Sequence, residues 1–408
     1  MTKTKLFTAL ALAGLAQAAS AAPPIDFSGY FRAGTGVNAR GGTQVCYGLP
    51  GADTKWRLGN ECDYVIEPNF AAKIASHEGS DWYVHFMPSV YRAWGGSEFQ
   101  TSLSPGDQTV AGSGTTELVT RFGQVYAYGN KIAMLGNGKV WAGRRFYNRL
   151  QLGINDQFLE NNDGDGAGIE DIELGGTAKL SFAFMMNPRD LDTANNNRFA
   201  LPIRVTGIPT LPNGSLSVYV TPSAQLESRN QVTGTDPADQ PKGIAVGLYQ
   251  SINGTLGGST LVGFKHDKQG EVKNTRLVVQ QTGKLGAGTA WDLIGEYRLN
   301  TNNGVDSKWY SLGGRTDTHI SGPLRFLVEL GTDQVKTDGG PTRNMTKLTL
   351  AGAVSAGNEA GSRPTIRLFV THAVWNEAAR QTLSGRLAEV YADKKSGTSV
   401  GIQAESWW

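Results

Sequence analysis

The residues able to do chemistry in this chain are few, and their spacing limits what they can do together. His77, His85, His266, His319 and His372 form no i, i+4 pair and no Cys/His cluster, so no metal site is expected. Asn161-Asn-Asp-Gly-Asp-Gly166 has the look of part of a calcium loop, but it lacks the closing glutamate, and Asn/Asp-Gly runs are ordinary turns. No nucleophile elbow or phosphate loop is expected, and no cofactor or catalysis with them. What remains is a stretch, Trp141–Ile169, that concentrates Arg144, Arg145, Arg149, Asp156 and Phe158. Its first residues read as a strand, and from Gly143 onward neither a strand nor a helix period persists. With a net charge of +2 the chain makes no electrostatic case for nucleic acid, so these arginines fit a pore lining better than a phosphate patch.

The elements that would position such a loop are strands. Phe27–Val37 alternates Phe27, Phe31 and Val37 with Ser28, Tyr30 and Arg32, and the C-terminal residues alternate Val400, Ile402 and Trp408 with Gln403, Glu405 and Trp407. Turn signals recur near Ser76–Ser80, Gly136–Gly138, Gly175-Gly176, Pro212–Gly214, Gly254–Gly258, Gly283–Gly288, Ser321–Pro323 and Gly357–Gly361. Between successive turns lie two strands and one longer polar loop. Eight short turns with both termini on one side imply about 18 strands, the habit of outer-membrane barrels. The fold expected is all-β: a transmembrane antiparallel barrel with a long constriction loop folded into its lumen.

Mean hydropathy is −0.30, and beyond the first residues no apolar run is long enough for a membrane helix. Residues 1–21 read as a signal peptide, with Lys3 and Lys5, an apolar Leu6–Gly14 and a small-residue site at Ala19-Ser-Ala21. Residues 22–408 read as one domain in the bacterial outer membrane, in contact with its lipid. Cys46 and Cys62, alone in an exported chain, favour one disulfide over a metal site.

Energetics assign the faces. An Arg facing lipid at mid-bilayer costs about 2–4 kcal/mol, so Arg32 points inward and takes Tyr30 with it, leaving Phe27 and Phe31 outside. The same reasoning turns Glu405 and Trp407 inward, Glu67 and Val65 inward with Tyr64 and Phe70 outside, and Arg367 and Phe369 inward. Inward aromatics beside inward Arg and Glu suit a sugar, which stacks its C–H face on rings and bonds its hydroxyls to charged groups.

Six stretches resemble maltoporin and the related carbohydrate-selective outer-membrane porins: Ile25-Asp-Phe-Ser-Gly-Tyr-Phe-Arg32, Lys55–Cys62, Trp141–Arg149, Gly166–Glu170, Arg363–Phe369 and Trp407-Trp408. The resemblance implies a trimeric barrel with a sugar path formed by a lane of aromatics flanked by polar side chains. Tyr30 and Trp407 match two lane aromatics. Arg32, Arg57, Glu67, Arg121, Arg149 and Asp156 match polar positions. Phe158 stands at a constriction tyrosine, and Cys46 and Cys62 match a first-loop disulfide. Val65, Gly361 and Leu277 fall where the family has lane rings, and Gln151 and Gly153 replace an Asp and a His. Trp94 or Phe99 could supply the ring that the second loop lends to a neighbouring subunit. The shortened lane suggests a mono- or disaccharide, with another small polar solute such as an organic acid as the alternative.

Overall fold

The computed structural model describes residues 25–93, 119–186, 198–225 and 242–408. The proposed signal peptide, Trp94 and Phe99 lie outside them. The first strands are β1 (Ile25–Asn38), β2 (Asp63–His77), β3 (Ser80–Ala93), β4 (Val119–Ile132) and β5 (Gly138–Arg145). β6 (Leu150–Leu152) and β7 (Gln157–Glu160) form a hairpin separate from the main sheet. β8 (Gly164–Gly175), β9 (Ala178–Met186), β10 (Arg198–Ala200), β11 (Ile203–Pro209) and β12 (Gly214–Gln225) follow. Then come β13 (Gly243–Thr255), β14 (Gly258–Gln269), β15 (Val272–Leu285), β16 (Thr289–Asn302) and β17 (Val305–Ser321). β18 (Leu324–Thr337), β19 (Arg343–Ser355), β20 (Thr365–Trp375) and β21 (Ser396–Trp407) complete the set. Each strand pairs antiparallel with its neighbours, and β1 pairs with both β2 and β21, so the sheet closes without a free edge. β10 and β11 share one position between β9 and β12, which makes eighteen staves.

Which side faces lipid is decided by β20. Its alternate residues Ile366 and Leu368 are 52% and 63% exposed, whereas Arg367 between them is 4% exposed. An aliphatic exterior around an ionic interior is stable only where the outside solvent is hydrocarbon. Phe27 and Phe70 stack outside at 5.2 Å, and Trp408 joins them 5.3 Å from Phe27. Tyr30 sits opposite Trp407 and Glu67 opposite Tyr30, all inside.

All eight expected turns fall between strands. The opposite end departs from expectation: β14–β15 and β16–β17 are joined by two residues each, and β18–β19 by five, instead of long polar loops. At Asn303-Gly304 both residues have positive φ (50° and 81°), the conformation of a tight hairpin turn, and Asn-Gly adopts it at little cost.

The constriction loop is also shorter than Trp141–Ile169. It comprises residues 146–163, because β8 already begins at Gly164. The glycines that look like loop residues make room within a strand: a Cβ on Gly168 would lie 2.7 Å from Ala183 and 2.9 Å from Trp141. The loop folds inward on Leu152, Ile154 and Leu159, which pack against Tyr219, Tyr249, Val278 and Ile294 of the wall and Trp56. Buried aliphatics of this size contribute about 1.5–3 kcal/mol each.

A second inward loop, residues 39–62, contributes as much to the interior. Val45, Tyr47 and Leu49 pack with Trp309, Met345 and Trp375 and with the short helix Gly385–Tyr391. Its tip is held through its backbone. Glu329 accepts from Leu58 N (2.9 Å), Lys347 donates to the Trp56 and Leu58 carbonyls, Thr349 donates to Leu58 O (3.0 Å), and Thr371 donates to Gly59 O (3.1 Å). Cys46 and Cys62 are joined across its base, with Cα atoms 6.0 Å apart.

Candidate lumenal solute site

Strand register brings the N-terminal and C-terminal strands together, and with them Tyr30 and Trp407. Tyr30 Oη donates to Glu405 Oε1 (2.8 Å) and accepts from Arg57 Nη2 (3.1 Å) and Arg32 Nη1 (2.9 Å). The Arg363 guanidinium lies 3.8 Å from the Trp407 ring centroid, and the ring stays 48% exposed. Glu405 is a hub that also pairs with Arg57 and Arg363 at 3.5 Å each and with Arg367.

The two inward loops meet beside this pair. Lys55 Nζ lies 2.9 Å from Asp156 and 3.2 Å from Glu61, and Arg57 Nε donates to Glu61 (2.8 Å) and lies 4.0 Å from Asp156. Glu61 is buried among Arg57, Lys55 and Arg32. Burial alone would raise its pKa, but the Arg57 guanidinium, then Lys55 and Arg32, hold the carboxyl far below the usual carboxylate range. In return, burial works against the charge on Arg57 and Lys55 while Glu61 outweighs it, so both cations are held above their ordinary values.

Tyr30, Arg57, Asp156 and Trp407 therefore converge. Arg32 does not line the open lumen as the resemblance implies. It is 6% exposed and donates to Asp63 (2.8 and 2.5 Å), tying the base of the first loop to β1. Arg149 and Phe158 belong to a separate group within the constriction loop. Arg149 donates to Asp163 (2.9 Å) and lies over Phe146 (3.2 Å) and Phe158 (5.2 Å), and Arg276 donates to the Phe158 carbonyl (2.9 Å). Glu67 accepts from Ser89 Oγ (3.1 Å) on the wall. Arg121 pairs with Ser89 in the backbone register, and its side chain lies outside the described residues. Leu277, assigned by resemblance to a lane position, faces outward and is 50% exposed.

Sequence reasoning missed three features. A tyrosine ladder lines the wall of β3 and β4: Tyr83 stacks on Tyr128 at 4.8 Å, and Tyr126 stacks on His85 at 4.5 Å and lies 5.6 Å from Tyr128. Its signal was legible, because Gln124, Tyr126, Tyr128 and Asn130 occupy alternate positions. An arginine-rich cavity of about 520 Å³ lies near the turn end, lined among others by Asp292, Arg315, Asp317, Arg325, Arg363 and Arg367. The pattern Gly-x-Ser-x-Gly does occur, at Gly397–Gly401. It lies inside β21, where Ser399 is buried and donates to Val45 O (3.0 Å), which is not the exposed strand-to-helix turn of a nucleophile elbow. In the calcium-like segment, Asp163 and Asp165 are engaged by Arg149 and Arg144.

Comparison with known proteins places this architecture among channels. The chain is similar in fold to a BenF-like porin from Pseudomonas fluorescens Pf-5 (TM-score 0.55, 9% identity, 94% of this chain and 99% of that one). It is also similar to Pseudomonas aeruginosa OpdK, solved with vanillate (0.54, 9%, 94% and 99%), and to Acinetobacter baumannii OccAB1 (0.53, 8%, 94% and 96%). The family model described as LamB porin matches residues 25–408. The chain therefore belongs to the LamB porin family and is a bacterial outer-membrane channel with the porin fold.

Proposed function

We propose that this channel provides passive, facilitated diffusion for mono- or disaccharides, with Tyr30 and Trp407 as stacking surfaces and Arg57, Asp156 and Glu405 as hydroxyl partners. The observation that carries the reading is the cross-strand pairing of Tyr30 with Trp407 on the lumenal face, beside that ionic cluster. The tyrosine ladder of Tyr83, Tyr126 and Tyr128 supports it by adding aromatic wall. Glu67, Arg149 and Phe158 are assigned secondary polar and stacking contacts, and Arg121 is proposed as a further polar contact on the resemblance alone. Arg32 is assigned an indirect part, through its bond to Tyr30. Binding is weak, since a conducting site must release its ligand; a dissociation constant near about 1 mM corresponds to about −4 kcal/mol. No catalytic step is part of this reading, and assembly as a homotrimer is proposed from the family relationship.

The test is single-channel current in planar bilayers with maltose, sucrose and glucose at tens of millimolar. Block by at least one is expected; failure of all three removes the sugar reading and leaves the channel. A second reading, a small organic acid, is favoured by Arg315, Arg325, Arg363 and Arg367 around one cavity. Liposome swelling with sugars against carboxylates separates the two.

A further inference from the structure

We propose that the outward face of β14–β18, at the loop end of the barrel, binds the phosphorylated headgroup of an outer-leaflet lipid. The register sets Lys268 directly opposite Lys273 and Lys308 directly opposite Lys336. Like charges facing each other across adjacent strands destabilise a sheet. None of the four lysines forms an ion pair with a described residue, and Lys336 Nζ is satisfied only by the Gly340 carbonyl at 2.8 Å. Of the carboxylates nearby, Asp306 lies on the same outward face two residues from Lys308, accepts from Thr301 (2.7 Å) and forms no ion pair with the four lysines, while Glu271 and Asp338 lie in the turns above. Four lysines share this outward face with the single strand carboxylate of Asp306, so the lipid side of the wall carries an excess of positive charge that an anion from outside the chain would balance.

The height of these lysines identifies what supplies the anion. They share strand faces with lipid-exposed residues: Lys268 with Phe264, Lys273 with Leu277, Lys308 with Tyr310 and Leu312, and Lys336 with Leu330. Four residues of tilted strand, at about 3.3 Å each, raise Lys273 and Lys308 by roughly 10 Å above Leu277 and Leu312. That is the level of headgroups above the hydrocarbon edge. In the same row as Leu277, below the lysines, lie the paired rings of Tyr297 and Tyr310, 5.0 Å apart, as interfacial aromatics do. Below the lysines, Leu277, Val279, Gly295, Tyr297, Tyr310 and Leu312 border an outward cleft of about 830 Å³ that can seat an acyl chain.

Lys273 and Lys308 are two strands and two residues of register apart, roughly 12 Å, so the two pairs suit a headgroup carrying more than one phosphate. The lysines are not a general decoration of the rim. The outward positions at the same end of β19, β20 and β21 are Asn344, Val374 and Thr398. The inference rests on the outer-membrane location and not on the identity of the solute.

The test measures binding of bisphosphorylated lipid A and of its dephosphorylated form to the full-length protein in non-ionic detergent, by native mass spectrometry. The phosphorylated lipid is expected to bind about tenfold or more tightly, given the usual attraction of surface lysines for anionic lipid. Lys308→Gln/Lys336→Gln and Lys268→Gln/Lys273→Gln should each remove most of that preference and leave single-channel conductance unchanged. Inorganic phosphate should not compete at millimolar concentration. Equal affinity for the two lipids overturns the proposal, as does full competition by inorganic phosphate. The comparison of lipids on the unaltered protein decides the matter even where a variant fails to fold.

Discussion

Replacing Lys347 by Met tests whether the first loop is held in the lumen by the barrel wall. Lys347 is buried on β19 and donates to the Trp56 carbonyl, to the Leu58 carbonyl (3.3 Å) and to Glu329 (3.1 Å). Methionine fills a similar volume and removes all three bonds. Stripping one partner from a buried pair costs about 3–5 kcal/mol when the other charge is left alone. Glu329 is not left alone, because Arg315 donates to it twice (2.9 and 2.6 Å) and Leu58 N once (2.9 Å). The loss is therefore closer to that of two charge-assisted bonds to loop carbonyls, about 1.5 kcal/mol each. Thr349 still serves Leu58 O, which brings the expected cost to about 2–3 kcal/mol against loop opening. At about 1.4 kcal/mol per factor of ten, that is roughly a 30- to 150-fold rise in the open population. Hydrogen exchange at the Leu58 amide reads this directly, since its bond to Glu329 breaks when the tip lifts. Exchange should accelerate by that factor while strand amides of β13–β16 keep their rates, and the single-channel trace should become noisier. Unchanged exchange at Leu58 in a folded variant would refute the reasoning, because the tip would then be held by its apolar packing alone.

Other outcomes follow from the same contacts. Trp407→Ala should weaken sugar block by about two- to twelvefold, the loss of one ring contact of about 0.5–1.5 kcal/mol, without abolishing ion conductance; an unaltered block constant takes Trp407 out of the path. Reducing the disulfide releases a constraint worth roughly 3 kcal/mol in the chain-entropy account, yet the tip contacts remain. The barrel should keep its folded electrophoretic mobility, and loss of that mobility on mild heating would show that the bridge supports the staves. The lowered pKa of Glu61 means that its ionised form stabilises the loop network. That stability is complete above the ordinary carboxylate value near about 4.3 and is lost as pH falls toward the depressed one. Channel current should thus be steady from pH 7 to 5 and become unstable only in stronger acid, and Glu61→Gln should abolish this dependence; a transition near neutral pH would contradict the assignment.

Much of the wall could be read without coordinates, because a strand's side-chain period is a local property and lipid enforces it. An arginine placed in hydrocarbon costs more than any competing preference at that position, so Arg32, Glu405 and Arg367 sufficed to orient Tyr30, Trp407 and Phe369. The eight turn signals located the strand ends for a similar reason: Gly, Asn and Pro act on the backbone within a few residues. The same locality misled where glycine has a packing purpose, as at Gly166 and Gly168, which look like loop and are strand.

The interior beyond the wall was decided only by the tertiary structure. The sequence determined that a polar loop had to enter the lumen, and it named Trp141–Ile169, but nothing near Trp56-Arg-Leu-Gly59 announces that its backbone is gripped by Glu329, Lys347, Thr349 and Thr371. Those partners lie some 270–310 positions away. Their bonds go to main-chain atoms that every residue possesses. A contact of that kind imposes no period and no residue type on the loop, so it leaves no pattern to read. Arg32 shows the consequence: alternation set its direction correctly, while the fold of a distant segment determined that it would meet Glu61 and Asp63 rather than water.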